Sequence, residues 1–244
     1  MKKASHARSD LIDELYHLYG DPTSKRWNSF SYRRKKYLWI FIVGGSRSCK
    51  RLLDIVISVC ALLVLIPLLI LVSILIKCTD WGPILFWQMR VGLWGREFPF
   101  PKFRSMVVNA DKLKDAMISE NDHGKNITFK MKKDPRVTWI GRIIRRLSID
   151  ELPQFWSVLI GDLSLVGPRP AVPREVCQYT LHDRRRLDVK PGLTCFWQVS
   201  GRGDIPFPEQ VRLDVKYIES QSLLLDFKLL LLTIPAVLSG KGAY

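Results

Sequence analysis

From Ile55 to Ile76 the chain carries about 22 residues without a formal charge, and no other feature limits its fold so strongly. At about 1.5 Å per residue, a helix of that length matches a hydrocarbon core about 30 Å thick, so the run reads as a membrane helix. It begins too far from Met1 for an ordinary signal peptide and no small-residue cleavage site follows, so it is expected to stay in the mature protein. Pro67 interrupts the run near its middle, removing one backbone hydrogen bond and crowding the preceding turn. A kink at Ile66-Pro67 is therefore expected. Arg47, Lys50 and Arg51 stand upstream, with Lys77, Arg90, Arg96, Lys102 and Arg104 downstream, so charge gives a single span no preferred orientation. Two readings fit: a single-pass helix, or a kinked helix that enters and leaves one leaflet with its backbone bonded internally.

A chain of 244 residues suffices for one or two domains with a sizeable core. Its formal net charge of +15 asks for an anionic partner. Zinc-finger spacing, an RNP-type strand and basic-leucine heptads are all missing, and the basic residues flank or follow the apolar helix. Anionic lipid and phosphorylated substrates thus explain the charge better than nucleic acid. Arg33-Arg34-Lys35-Lys36, followed by Tyr37 to Val43, reads either as an interfacial anchor or as a solvated basic tail. Cys49, Cys60, Cys78, Cys177 and Cys195 are scattered, which implies neither a disulfide frame nor a zinc site. His6, His17, His123 and His182 show no metal-ligand spacing. The absence of a Gly-x-Gly-x-x-Gly turn and of a Walker loop argues against a Rossmann dehydrogenase or an ATPase.

Ser148-Ile149-Asp150-Glu151-Leu152-Pro153 places two adjacent carboxylates where a helix is expected to start. Ser148 with Glu151 reads as a capping box, followed by Leu152, Phe155, Trp156, Leu159 and Ile160 at helical spacing. A helix N-terminus favours carboxylates and also a bound phosphate, although the same pattern serves plain capping. Around it, Ile84 to Met89 and Phe98 to Phe103 read as a small hairpin. Ala110 to Glu120 reads as a polar helix and Val137 to Leu147 as a basic amphipathic stretch. Gly167-Pro168-Arg169-Pro170 cannot be helical, and its prolines hold an arginine fork suited to bidentate phosphate contact. Lys190-Pro191-Gly192-Leu193 is a second turn, and Gly201-Arg202-Gly203 again holds a basic group between glycines. The apolar run Leu223 to Leu238, broken by Asp226, Lys228 and Pro235, is too short in its pieces to span and should lie on the membrane or against the core.

These residues resemble one family in order: Lys50-Arg51-x-x-Asp54, the Pro67-broken helix, Phe86-x-Gln88-x-Arg90-x-Gly92, Lys102-Phe103-Arg104-Ser105-Met106, Asp134-Pro135-Arg136-Val137-Thr138, Asp150-Glu151-Leu152-Pro153, Gly167-Pro168-Arg169-Pro170 and Lys190-Pro191-Gly192-Leu193-Thr194. The chain, from about Ser46 to Tyr244, looks like a bacterial polyprenyl-phosphate sugar-1-phosphate transferase of the monotopic kind. Cys195-Phe196, Ser200 and Ile66 depart from residues frequent in that pattern, which bears on sugar preference and on the kink but leaves the two carboxylates untouched.

The resemblance implies a mainly α fold with a small β-hairpin (α+β), one Pro-kinked re-entrant helix and interfacial amphipathic helices. Residues 1–45 fall outside the resemblance and read as a basic cytoplasmic extension, whereas the resemblance implies a membrane helix over 46–79 and a catalytic domain over 80–244 at the cytoplasmic face of the inner membrane. Transfer of a hexose-1-phosphate from a nucleoside diphosphate sugar to undecaprenyl phosphate would release the nucleoside monophosphate. Asp150 would be the nucleophile and Glu151 would help bind magnesium, while Arg146, Arg169, Lys102, Arg104 and Arg202 would hold phosphates. The two carboxylates are not expected to share a proton. The short form, Trp197-Gln198-Val199-Ser200-Gly201-Arg202 and the Gly242-Ala243-Tyr244 end are similar to members that start exopolysaccharides from UDP-glucose or UDP-galactose. Homo-oligomer formation is left open. A non-catalytic membrane scaffold and a membrane-anchored phosphohydrolase are the rival expectations.

Overall fold

The computed structural model describes residues 25–110, 113 and 134–239, with side chains from residue 45 onward. The expected polar helix over Ala110 to Glu120 lies almost wholly outside the described residues, as do the C-terminal Gly242-Ala243-Tyr244 and three of the four histidines. The chain divides into two compact units, Met1–Ser48 and Cys49–Tyr244, and the contacts that build the candidate site lie within the second.

The apolar run belongs to helix α1 (Lys25–Asp80), and helical backbone continues on both sides of Pro67. Proline has no N–H to donate, so the Leu63 carbonyl lacks its ordinary partner there. One helix in the described residues, Gly45–Asp80, is long and apolar enough to cross a membrane. Its middle is bare: Leu63 is 62% and Val64 77% exposed. Both ends, in contrast, are docked on the same unit. Near the start, Arg51 donates to the carbonyls of Val158 and Leu159 at 2.5 and 2.6 Å. Near the end, Val72 and Ile76 pack with Phe103, Ile140 and Ile144. Beyond them Asp80 forms a bidentate ion pair with the buried Arg104.

Strands β1 (Leu85–Val91) and β2 (Glu97–Phe103) form the expected antiparallel hairpin, turned through Trp94 and Gly95 with positive φ. Their alternation points Phe98 and Phe100 into the main core, which also contains Val158, Leu163, Leu165, Val166, Tyr217 and Leu229. Helix α2 (Trp139–Arg146) is capped by Thr138, whose hydroxyl accepts from the Gly141 N–H at 3.0 Å. Helix α3 (Gln154–Ile160) ends at Gly161, which takes the left-handed φ that closes a helix without a Cβ penalty. Arg51 donates to its last turn, where a cation complements the helix dipole.

The short parallel pair β3 (Ser164–Val166) and β4 (Gly192–Thr194) follows, separated in sequence by helices α4 (Pro173–Val176) and α5 (Leu181–Arg184). Helices α6 (Phe196–Ser200), α7 (Phe207–Ser220) and α8 (Leu223–Ser239) complete the unit. The C-terminal apolar run is thus one helix containing Pro235, with Asp226 and Leu229 buried and Leu224, Phe227 and Leu238 exposed. The architecture is mainly α with a small hairpin, as expected.

Candidate active site

Period-two alternation gathers one layer of the site on the hairpin. Gln88 pairs with Phe100, Arg90 with Phe98 and Phe86 with Lys102, so these residues share a face. Arg90 lies 5.4 Å and Lys102 5.6 Å from the buried Phe100 ring centre, so one aromatic ring supports two cations.

The carboxylates stand opposite, but not as the capping-box pattern predicts. Ser148 is left-handed (φ 55°) and its side chain caps nothing; Asp150 and Glu151 occupy a 3-10 turn, Ile149–Glu151, ahead of α3. Pro153 stands at the α3 cap position, so the pair precedes the helix instead of forming its first turn. The inward face of α3 is Gln154, Ser157 and Val158, whereas Trp156 and Ile160 of the expected apolar stripe point outward.

Glu151 accepts from Lys102 Nζ at 2.8 Å and from both terminal nitrogens of Arg169, at 2.5 and 3.3 Å. Burial opposes its ionisation, but Arg169 and Lys102 outweigh that and hold its pKa well below the usual carboxylate range. Asp150 is buried, with its closest cation, Lys102 Nζ, 4.0 Å away. Burial, reinforced by the charge of Glu151 and opposed by Lys102, raises Asp150 to about 6. Its pKa is therefore higher than the unperturbed carboxylate value near 4, yet at pH 7 roughly nine in ten copies are ionised. Two neighbouring carboxylates are thereby driven apart in proton affinity. One is a locked anion and the other is held loosely.

Arg169 is set by backbone, not by chance. The Gly167 N–H donates to the Thr194 carbonyl at 3.0 Å and the Gly192 N–H to that of Pro168 at 2.9 Å, which lays the two turns side by side. A Cβ on Gly192 would fall 2.1 Å from the Gly167 nitrogen, so this crossing requires glycine. From the hairpin, Arg90 Nη1 donates to the Pro170 carbonyl at 3.0 Å and the Val91 N–H to Ala171 at 2.8 Å. Arg202 and the half-buried Arg145 complete the cationic surroundings, since both act electrostatically on Asp150. Cations outnumber carboxylates here, which leaves a net positive cluster suited to a polyanion.

This constellation falls inside the match to a family model described as bacterial sugar transferase, which covers residues 45–240. The chain belongs to the bacterial sugar transferase family. It is 44% identical over 223 residues to the galactosyl transferase CpsE of Streptococcus agalactiae, covering 91% of this chain and 48% of that protein. It is 39% identical to the exopolysaccharide production protein ExoY of Sinorhizobium fredii, covering 83% of this chain and 90% of the relative. Identity to the undecaprenyl-phosphate galactose phosphotransferase of Salmonella typhimurium is 42%, covering 82% of this chain and 42% of that protein. The chain thus spans about half the length of CpsE and of the Salmonella protein, and nearly all of ExoY.

Within this sugar transferase, the residues named from sequence separate into two groups. Asp150, Glu151, Lys102 and Arg169 meet directly, and Arg202 lies within electrostatic reach. Arg104 instead has its guanidinium engaged by Asp80, where it fastens the end of α1. Arg146 is exposed on α2. At about 100° per residue, the buried face of Ile140, Gly141 and Ile144 turns Arg146 away and leaves Arg145 on its flank. That helical phase was readable and points to Arg145. Arg90 was also missed as a site residue, although its alternation with Gln88 placed it on the Lys102 face.

Among the described residues, no three or more His, Cys, Asp or Glu side chains cluster as a self-sufficient metal site. The donor set nevertheless fits magnesium, which is commonly bound through one or two carboxylates plus substrate phosphates. Among the described residues, Glu151 Oε2 accepts only the 3.3 Å bond from Arg169, which leaves it lone-pair capacity for a hard cation.

Proposed function

We propose that this sugar transferase moves a hexose-1-phosphate from a UDP-hexose, glucose or galactose, to undecaprenyl phosphate and releases UMP, starting an exopolysaccharide chain at the cytoplasmic leaflet. The observation that carries this reading is the division of labour between Asp150, buried and largely ionised, and Glu151, locked between Arg169 and Lys102. The names of the Salmonella phosphotransferase and of ExoY accord with it.

In this mechanism an Asp150 oxygen attacks the phosphorus bonded to the sugar. The bond from that phosphorus to the bridging oxygen breaks, and UMP departs with the electron pair. The acyl phosphosugar is then attacked by an oxygen of undecaprenyl phosphate, which restores the Asp150 carboxylate and forms the lipid diphosphosugar. Arg169, Lys102, Arg145 and Arg202 would offset the charge spread over the phosphoryl oxygens. Glu151, with phosphate oxygens of the donor, would hold magnesium, whose chemistry there is to neutralise the diphosphate.

The membrane reading is re-entrant. Asp54 and Val72, about 27 Å apart along a straight helix, both touch the catalytic unit. A water-soluble unit cannot meet a helix on both sides of a bilayer, which supports entry and exit on one face. Exposed Trp156, Ile160, Leu224 and Leu238 suit an interfacial layer.

The test is made on purified protein with UDP-hexose and magnesium but no lipid. UMP release equal to the enzyme present, with an intact mass raised by one hexose phosphate, is expected. Asp150→Asn should show neither. UMP formation that strictly requires the lipid would overturn the covalent route, and free hexose phosphate as product would favour a phosphohydrolase.

A further inference from the structure

All of β3 is held by groups from α1 and its neighbours. Asp54 Oδ1 accepts from the Leu165 N–H at 3.0 Å and from the Ser164 hydroxyl at 3.2 Å. The Val166 carbonyl, last in the strand, accepts from both Lys50 Nζ and the Tyr217 hydroxyl, each at 3.1 Å. Asp226 of α8 closes the ring, with Oδ2 accepting from Lys50 at 2.5 Å and Oδ1 from Tyr217 at 2.7 Å. Tyr217 and Asp226 are buried, so losing a partner there leaves polar atoms without compensation from water.

Val166 stands three residues before Arg169, and the intervening turn has little slack. Pro168 and Pro170 fix their own φ, and the Gly167–Gly192 crossing leaves no room for adjustment. A displacement of the Val166 carbonyl would be carried to the Arg169 fork. Neither Lys50 nor Tyr217 makes a hydrogen bond or ion pair with Asp150 or Glu151.

We propose that Lys50 and Tyr217 are positioning residues for the transfer reaction. By holding the Val166 carbonyl they aim Arg169 at its anion, so the seating of the membrane helix governs whether the phosphate-binding turn is competent. This rests on reading Arg169 as a phosphate ligand, and the experiment separates the two.

Full-length protein in lipid nanodiscs is assayed for kcat and KM toward UDP-hexose as the parent, as Lys50→Met, Lys50→Arg, Tyr217→Phe and Arg169→Ala, and as Lys50→Met and Tyr217→Phe each combined with Arg169→Ala. Each single change at Lys50→Met or Tyr217→Phe is expected to lower kcat/KM about tenfold or more, with Lys50→Arg recovering to within about threefold of the parent. In the Arg169→Ala background the same changes should cost less than about twofold, because residues acting through one group are not additive. A general packing role would keep its cost in that background. Multiplying losses, or parent-like rates in both single variants, overturn the proposal. Should Lys50→Met fail to fold, Tyr217→Phe, which removes one hydroxyl and keeps the ring, carries the test alone. Parent-like turnover in Arg169→Ala would sink the phosphate-ligand reading, and the inference with it.

Discussion

Burial lifts Asp150 from an ordinary 3.8 to about 6, so the folded chain binds this proton more tightly than the unfolded chain does. Folding therefore gains from this group below pH 3.8, and the gain is lost as pH rises through about 6. Above that, keeping the anion buried costs up to about 3 kcal/mol. Asp150→Asn has no charge to bury, so in denaturant titrations of the magnesium-free protein it should be more stable than the parent at pH 7.5. The difference should shrink toward pH 4, and equal stability at both pH values would contradict this account. Glu151→Gln should behave differently, keeping residual turnover but showing a much weaker response to added magnesium, since the proposed metal ligand loses its charge. A magnesium titration curve unchanged from the parent would move the metal elsewhere. The carboxylate pair itself was legible as adjacent acids beside a Gly-Pro-Arg-Pro turn. Its proton affinities were not, because they depend on Lys102 and Arg169, which lie 49 and 18 residues from Glu151.

At the scale of elements, the hairpin and the turn between its prolines followed from alternation and from fixed φ angles. The start of α3 did not. Ser148 and Glu151 satisfy a local pattern that tertiary contacts override, since Glu151 is drawn to two cations and leaves the Ser148 backbone uncapped by its side chain. The closeness of the two turns was likewise invisible, because a glycine in sequence does not disclose which backbone it must admit. Gly192→Ala tests that crossing directly. With a Cβ 2.1 Å from the Gly167 nitrogen, it should destabilise the protein by about 1–3 kcal/mol and lower turnover by disturbing Arg169. A neutral effect on both would show that the crossing is loose.

For the molecule as a whole, topology is the property that the +15 charge and the apolar run frame together. Cys49 and Cys78 flank the run and are exposed, as are Cys60 and Cys177, whereas Cys195 is buried. Variants keeping only Cys49 or only Cys78 should each react with a membrane-impermeant reagent from the cytoplasmic side alone. Labelling of Cys49 from outside, with Cys78 inside, would establish a span. Pro67→Ala restores the missing backbone bond and should shift part of the population toward that pattern. Sequence symmetry of charge raised this question without answering it, because docking of both helix ends depends on partners far along the chain.

Those partners also set a timetable for biogenesis. Lys50 and Asp226 are 176 residues apart, so at about 5–20 residues per second the ribosome adds the second partner roughly 10–35 s after the first. The apolar helix meets the insertion machinery and the lipid while the surface that will clasp its beginning does not yet exist. Its initial placement is therefore decided by hydrophobicity, Pro67 and the flanking basic residues, and the polar clasp can only secure afterwards what the nascent chain has already chosen.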